Sequence, residues 1–355
     1  MHTPRHPAPA PAPARMLSRR TALGAGLAGA AGLAALASGC ARTPAPTSGP
    51  PAATIGLTYI PDIQFAPFYV AAEQGLFSDL GVDATLRHHG AQEGLFTALV
   101  AGQEQYVIAG GDELVQARAE GMDLVAIGQY YHAYPVVLIV PDASPVQSAA
   151  DLAGLRVGVP GKYGETWFGL KAALHEAGLT EDDVEVVEIG YTAQAALTTG
   201  KVDAVVGFSN NDQVQFELAG IPTRTVPLAD GDLPLVSIVL ATTRENLEAN
   251  RETAGKVAQA MVQGIEKVVA EPGSAIEAGK AHIPTLDEAG AASSAQATLD
   301  ATLPLWTPAS GRATGVMDED AWAAMTSFMR EAGLISADVD PAEAMTNQLV
   351  EGGNG

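Results

Sequence analysis

The residues with the most chemical character in this chain fall in short segments that directly follow apolar, strand-like runs. Tyr59, Asp62, Gln64 and Phe65 follow one such run, Asp112 follows the glycines of YVIAGG, and Gln129, Tyr130 and Tyr131 end LVAIGQYY. Further on, Lys162, Tyr163, Glu165 and Thr166 open a helical stretch after LRVGVP, and Phe208, Asn210 and Asn211 open another after VDAVVG. Aromatic residues make up only 5 % of the chain, yet Tyr59, Phe65, Tyr130, Tyr131, Tyr163 and Phe208 all occupy such positions. Aromatic faces stack on a flat ring for about 0.5–1.5 kcal/mol each beyond the area they bury. Amide side chains such as Gln64, Gln129, Asn210 and Asn211 read donors and acceptors on the ring's edge. Lys162 is the one cation in these loops, so a neutral heterocycle suits them better than a small anion. Asp112 and Glu165 equally suit helix capping.

Chemistry of turnover has no matching pattern. The chain carries no Gly-x-Ser-x-Gly elbow and no HExxH, and GKYG at 161–164 lacks the Ser or Thr that a phosphate loop places after its lysine. His88 and His89 are the one adjacent histidine pair. Neighbours on a strand point to opposite faces, so the two do not readily share a metal ion. No catalytic residue, cofactor or metal is therefore expected. Phe68, Tyr69 and Phe77 follow helical spacing and read as core, as do Trp306 and Trp322 in the late helical region.

Positioning these loops is the task of an alternating series of elements. TIGLTY, VDATLRHH, YVIAG and LVAIGQYY read as strands, with helical stretches such as FAPFYVAAEQGLF and ELVQARAEG between them. A second series follows PVVLIV and the Pro/Ser-rich stretch PDASPVQSAADLAG: LRVGVP, the helix ETWFGLKAALHEAGL, VEVVEI, TAQAALTTG, VDAVVGF and DQVQFELAG. After DGDLP comes LVSIVLATT, and from Arg244 the pattern is almost wholly helical. Repeated strand, loop and helix order implies an α/β fold with largely parallel sheets. Two such series with late helices suggest two lobes about a cleft. In open α/β sheets, ligands bind beyond the carboxyl ends of the strands, where the marked residues lie.

The 355 residues, 47 % hydrophobic, are enough for a sizeable core. With 41 acidic against 19 basic residues the formal charge is −22, which argues against binding nucleic acid. The single cysteine, Cys40, forbids an internal disulfide and a cysteine-based zinc site. It ends a leader-like stretch: Ser18, Arg19 and Arg20, an uncharged Ala/Gly/Leu-rich run over 21–37, then Ser38 and Gly39. This resembles a bacterial lipobox, although Ala37 stands where such boxes usually carry Leu, and SRRTAL resembles a twin-arginine motif. The expectation is an exported lipoprotein on the extracellular or periplasmic face of a membrane, acylated at Cys40.

From residue 54 to about 335 the chain resembles the sulfonate, nitrate and thiamine-precursor solute-binding proteins of ABC importers. The blocks that carry the resemblance are TYIPDIQFAPFYVAAEQGLFSDLGVDATL, ALVAGQEQYVIAGGDELVQARAEGMDLVAIG, SAADLAGLRVGVPG and LTTGKVDAVVGFSNNDQVQFELAG. The segment IPDIQFAPFYVA and the Asn-Asn pair look like the branch that takes up vitamin-related heteroaromatics, riboflavin or a thiamine pyrimidine precursor. What the resemblance implies is a type II periplasmic-binding-protein fold, with a hinge and an inter-lobe ligand cleft. It implies a leader over 1–39, a linker over 40–53, lobe one from 54–141 and 235–340, lobe two from 142–234 and a tail over 341–355. It further implies a monomer whose partners are an ABC permease and its ATPase. Sulfonate, taurine or nitrate binding is the alternative within the family. Pyrimidine-synthase enzymes share the fold but carry a cysteine cluster, and this sequence has no cysteine beyond Cys40.

Overall fold

The computed structural model describes residues 49–89, 93–231, 233–308 and 311–350. Cys40, the leader before it and most of the expected linker lie outside the described residues. The chain runs β1 (Ala52–Leu57), α1 (Ala66–Glu73), α2 (Leu76–Asp79), β2 (Asp83–His88), α3 (Thr97–Val100), β3 (Tyr106–Gly110), α4 (Gly111–Ala119) and β4 (Leu124–Gln129). There follow β5 (Val136–Pro141), β6 (Arg156–Val159), α5 (Gly164–Glu176), β7 (Glu185–Glu188), α6 (Ala193–Thr198), β8 (Ala204–Phe208), α7 (Asp212–Leu218) and β9 (Thr223–Val226). The remainder is β10 (Ile238–Thr243), α8 (Arg244–Ala249), α9 (Arg251–Ala270), α10 (Gly273–His282), α11 (Ala291–Trp306), α12 (Glu319–Glu331) and α13 (Pro341–Ala344). Among the described residues no helix is long and apolar enough to cross a membrane.

Among the described residues ten strands divide into two five-stranded sheets, ordered β2-β1-β3-β10-β4 and β7-β6-β8-β5-β9. In the first, β10 runs antiparallel between β3 and β4. In the second, β5 runs antiparallel between β8 and β9. The two sheets thus repeat one plan. Strands β3 and β4 are buried along their whole length, β3 as a sheet interior covered by helices and β4, at the sheet's edge, because residues 345–346 bridge to its Ala126. α9 turns Ala254, Val257, Ala258, Met261, Ile265 and Val268 inward, which is the i, i+3, i+4 stripe of an amphipathic helix. Its Gly264 faces α1 so closely that a Cβ there would lie 2.2 Å from the Pro67 carbonyl oxygen. Asp318 starts α12 by accepting from the amides of Asp320 and Ala321 at 2.9 and 3.1 Å.

Three expected boundaries move. The strand Val136–Pro141, assigned to lobe one from sequence, is bonded into the second sheet, so the chain crosses between sheets at residues 130–135. An apolar run carries no mark of its partner strand; pairing alone decides it. β1 begins at Ala52, inside the expected linker, because Ala52 and Ala53 extend the ladder with β2. Residues 341–350 are not a tail: the Thr346 amide donates to the Ala126 carbonyl at 2.9 Å. Asn347 closes on Met317 through both its amide atoms, at 2.8 and 2.9 Å. Ala344 and Met345 are buried in the core and Leu349 and Val350 pack against it, so the stretch is held by apolar contacts as well as by backbone groups satisfied against β4.

Candidate functional site

A cavity of about 310 Å³ lies between the two sheets, at the carboxyl ends of their strands. This size falls at the lower end of the ~300–1,000 Å³ typical of small-molecule sites. From the first lobe it is lined by Thr58, Tyr59, Gln64, Phe65, Ile108 and Ile238, and from the crossing segment by Tyr130 and Tyr131. The second lobe contributes Pro160, Glu165, Phe208, Asn211 and Asp212, the apolar strand residues Val205 and Val206, and, after β7, Ile189, Gly190, Tyr191 and Ala193. Aromatic rings therefore face the cavity from both sides. Among the described residues no lysine, arginine or histidine is in its lining, whereas Glu165 and Asp212 are.

Each ring is held by its neighbours. The Tyr59 carbonyl accepts from His88 Nδ1 at 3.2 Å, and the Tyr69 hydroxyl donates to His88 Nε2 at 3.0 Å, which fixes one neutral tautomer. Burial lowers the His88 pKa below its usual value, in keeping with that neutral form. His88 also meets Phe65 edge to face, with centroids 5.6 Å apart. His89, on the opposite face of the strand, instead bonds the Glu104 carboxylate at 2.9 Å. Tyr130 donates to the Gln64 carbonyl at 2.7 Å and packs at 5.0 Å against Tyr131. Trp306 braces both tyrosines, with centroids 6.0 and 6.1 Å away. Asp212 accepts from the Phe208 amide at 2.8 Å and so shapes the turn into α7.

Eight of the residues marked in the sequence meet here: Tyr59, Gln64, Phe65, Tyr130, Tyr131, Glu165, Phe208 and Asn211. The rest do not line this cavity. Asp62 caps the turn before α1 by accepting from the Gln64 amide at 3.0 Å. Gln129 spends its amide nitrogen on the Tyr131 carbonyl at 2.6 Å. Asp112 is fully buried, with the Tyr134 hydroxyl at 2.6 Å. Lys162 pairs with Glu181 and lies 5.3 Å from the Trp167 ring, away from the cavity. Tyr163, 58 % exposed, borders a separate groove with Phe96, Thr97 and Val100. Thr166 is buried in the first turn of α5. Asn210 is enclosed between lobes, donating to Thr302 on α11 at 3.1 Å and directed at the Tyr131 hydroxyl at 3.4 Å.

Tyr191 and Asp212 were missed, although each carried a signal. Tyr191 follows VEVVEI just as the marked tyrosines follow their strands, and Asp212 directly follows Asn211. The apolar lining from Ile108, Ile189, Val205 and Ile238 had none. Such residues read as core in a sequence, and only the gap between sheets makes them walls.

Two lobes of repeated topology, a lined gap between them and two chain crossings define a two-lobed protein of the periplasmic-binding type. The solved alkanesulfonate-binding protein SsuA of Escherichia coli has the same fold, with a TM-score of 0.65 at 20 % identity over 83 % of this chain and 97 % of that one. The chain belongs to the NMT1/THI5-like family, whose model matches residues 62–275. It is 31 % identical over 317 residues to the riboflavin-binding protein RibY of Chloroflexus aurantiacus, covering 88 % of this chain and 90 % of that protein. It is also similar to a 4-amino-5-hydroxymethyl-2-methylpyrimidine phosphate synthase of Legionella pneumophila, with 24 % identity over 164 residues, 46 % of this chain and 51 % of that one.

Proposed function

We propose that this protein is the extracytoplasmic binding component of an ABC importer, capturing a small neutral heteroaromatic solute by closure of its two lobes. The observation that carries the reading is the lining itself: aromatic rings from both lobes, two carboxyl groups and, among the described residues, no basic side chain. Stacking on two or three rings contributes about 1–4 kcal/mol of the ~8 kcal/mol that micromolar affinity requires. A sulfonate or nitrate in the same place would sit beside Glu165 and Asp212 without a cation to offset its charge. Similarity to RibY over most of both chains supports riboflavin, and a thiamine pyrimidine precursor is the second candidate of the same chemistry. A pyrimidine-synthase activity has less support, because the sequence carries no cysteine cluster of the kind that such enzymes use.

Anchoring through an acylated Cys40, export, a monomeric state and docking to a permease complete the proposal. These rest on the leader-like sequence and on the family. Fluorescence titration of the purified chain with riboflavin, an aminopyrimidine, taurine and nitrate tests the central claim. The expected outcome is micromolar or tighter binding of a heterocycle. Tight binding of taurine or nitrate with no response to either heterocycle overturns it.

A further inference from the structure

Three carboxyl groups from two lobes meet beside the cavity. Asp112 and Glu113 stand in the first turn of α4, in lobe one; Glu165 stands in the first turn of α5, in lobe two. A Cβ on Gly110 would lie 2.4 Å from Asp112 Oδ1, 3.0 Å from Glu113 Oε2 and 3.2 Å from Glu165 Cγ, so all three side chains crowd one glycine. Glu113 accepts from the Gly110 amide at 3.1 Å through Oε2, and its Oε1 approaches the Gly164 position of the other lobe. Glu165 is 7 % exposed, and its Oε1 is enclosed with no hydrogen-bond partner. Among the described residues no basic side chain forms an ion pair with any of the three.

The hydrogen bonds around Tyr134 carry the same message. Its single hydroxyl lies 2.6 Å from Asp112 Oδ2 and 3.0 Å from the Glu165 backbone carbonyl. One proton cannot serve both acceptors. A proton on Asp112 resolves the conflict: the acid donates to Tyr134, and Tyr134 donates across the junction to the Glu165 carbonyl. An enclosed carboxyl oxygen without a donor is likewise tolerable on a neutral acid and costly on a carboxylate.

We propose that this junction is a proton-binding site: Asp112, Glu113 and Glu165 hold at least one proton while the lobes are together and release it when they part, so that solute capture takes up protons. Burial raises the pKa of all three groups, and their mutual repulsion raises Asp112 and Glu165 further. The other titratable groups around them are Tyr131 and Tyr134 of the crossing segment, both with raised pKa values, Asp212, which shares the cavity lining with Glu165, and Glu120 and Tyr163, which border one groove with Glu113. None supplies a positive charge. Parted lobes return the carboxyls to water and to their ordinary acidity. Closure is then favoured at low pH and lost as pH rises through the raised values.

Small-angle scattering of the full chain without ligand, at about pH 6 and pH 9, reads the junction independently of which solute binds. Riboflavin titrations at the same pH values read its effect on capture. The expected result is a larger radius of gyration at the higher pH and at least a tenfold weaker affinity. Glu165→Gln removes a charge while keeping size and hydrogen-bonding capacity, and it is expected to abolish the change in radius and to reduce the change in affinity to within about threefold; Glu113→Gln is the second variant should the first fail to fold. A wild-type radius independent of pH overturns the proposal, as does a pH dependence that persists undiminished in both variants. Compaction at pH 9 restored by calcium or sodium also overturns it, because the occupant would then be a metal cation. If riboflavin binds at neither pH, the solute assignment fails and the scattering still decides the proton site.

Discussion

At the scale of single residues, neighbours decide whether a side chain suited to recognition is free to recognise anything. Lys162 and Tyr191 make the contrast. Lys162 is engaged by Glu181 and by the face of Trp167, whereas Tyr191 is 68 % exposed on the cavity's wall. Tyr191→Ala is expected to weaken solute binding by about threefold to tenfold, the loss of one stacking contact. Lys162→Ala is expected to leave affinity within about twofold. Titration of both variants checks the assignment, and a reversed order of effects removes Tyr191 from the site. Both residues lie in post-strand loops of the same character, and the sequence reading marked Lys162 and missed Tyr191. The discriminating partner, Glu181, is 19 residues away from Lys162, a separation at which no local pattern speaks.

At the scale of elements, the helices that cover the first sheet are set by how closely backbones approach. Gly264 of α9 lies against the Pro67 carbonyl of α1, and a methyl group there would meet that oxygen at 2.2 Å. The obstacle is backbone, so it cannot rotate aside. Gly264→Ala is expected to be destabilising by about 1–3 kcal/mol through overpacking, more than the ~1 kcal/mol by which Ala exceeds Gly as a helix former. Thermal unfolding of the variant measures this; an unchanged or higher midpoint would show that α1 and α9 can separate at little cost. Because α1 opens directly after Phe65, a shift there also moves the loop that carries Tyr59 and Gln64. Helical spacing made Phe68, Tyr69 and Phe77 legible as core, and all three are buried. The requirement for glycine at 264 was not legible, since within the sequence it is one small residue in an amphipathic helix.

At the scale of the whole molecule, the lobes are joined by more than the two crossing segments. Asn210 ties the start of α7 to Thr302 on α11, and α12 extends the core of one lobe to the other through Phe328, which meets His175 of α5 at 5.4 Å. Asn210 was read from sequence as a solute contact, and its amide is instead directed at the partner lobe. Asn210→Ala removes a buried bond worth about 1–3 kcal/mol counting the acceptor left unpaired. Its expected effect is a shift of the population towards parted lobes, read as a larger radius of gyration without ligand and a several-fold weaker affinity. A variant unchanged in both would mean that this bond does not bias closure.

What the sequence determined by itself was everything that depends on local order. Alternating apolar runs and helical stripes define nine strand-like runs and the helical stretches between them in the right succession, with β9 (Thr223–Val226) unread, because strand and helix are selected by periodicities of two and 3.6 that a short window contains. Loops rich in aromatic and amide residues marked the ends of strands, and eight of the marked residues line the cavity for the same reason: ligand sites in such sheets form where strands end. Tertiary structure alone decided which sheet received Val136–Pro141, that residues 341–350 are packed on β4, and that Ile108, Ile189 and Val205 are walls of a cavity. It alone brought Asp112, Glu113 and Glu165 together. Pairing, enclosure and the meeting of charges are properties of residues far apart in the chain, and no spacing within a sequence encodes which distant neighbour a side chain will find.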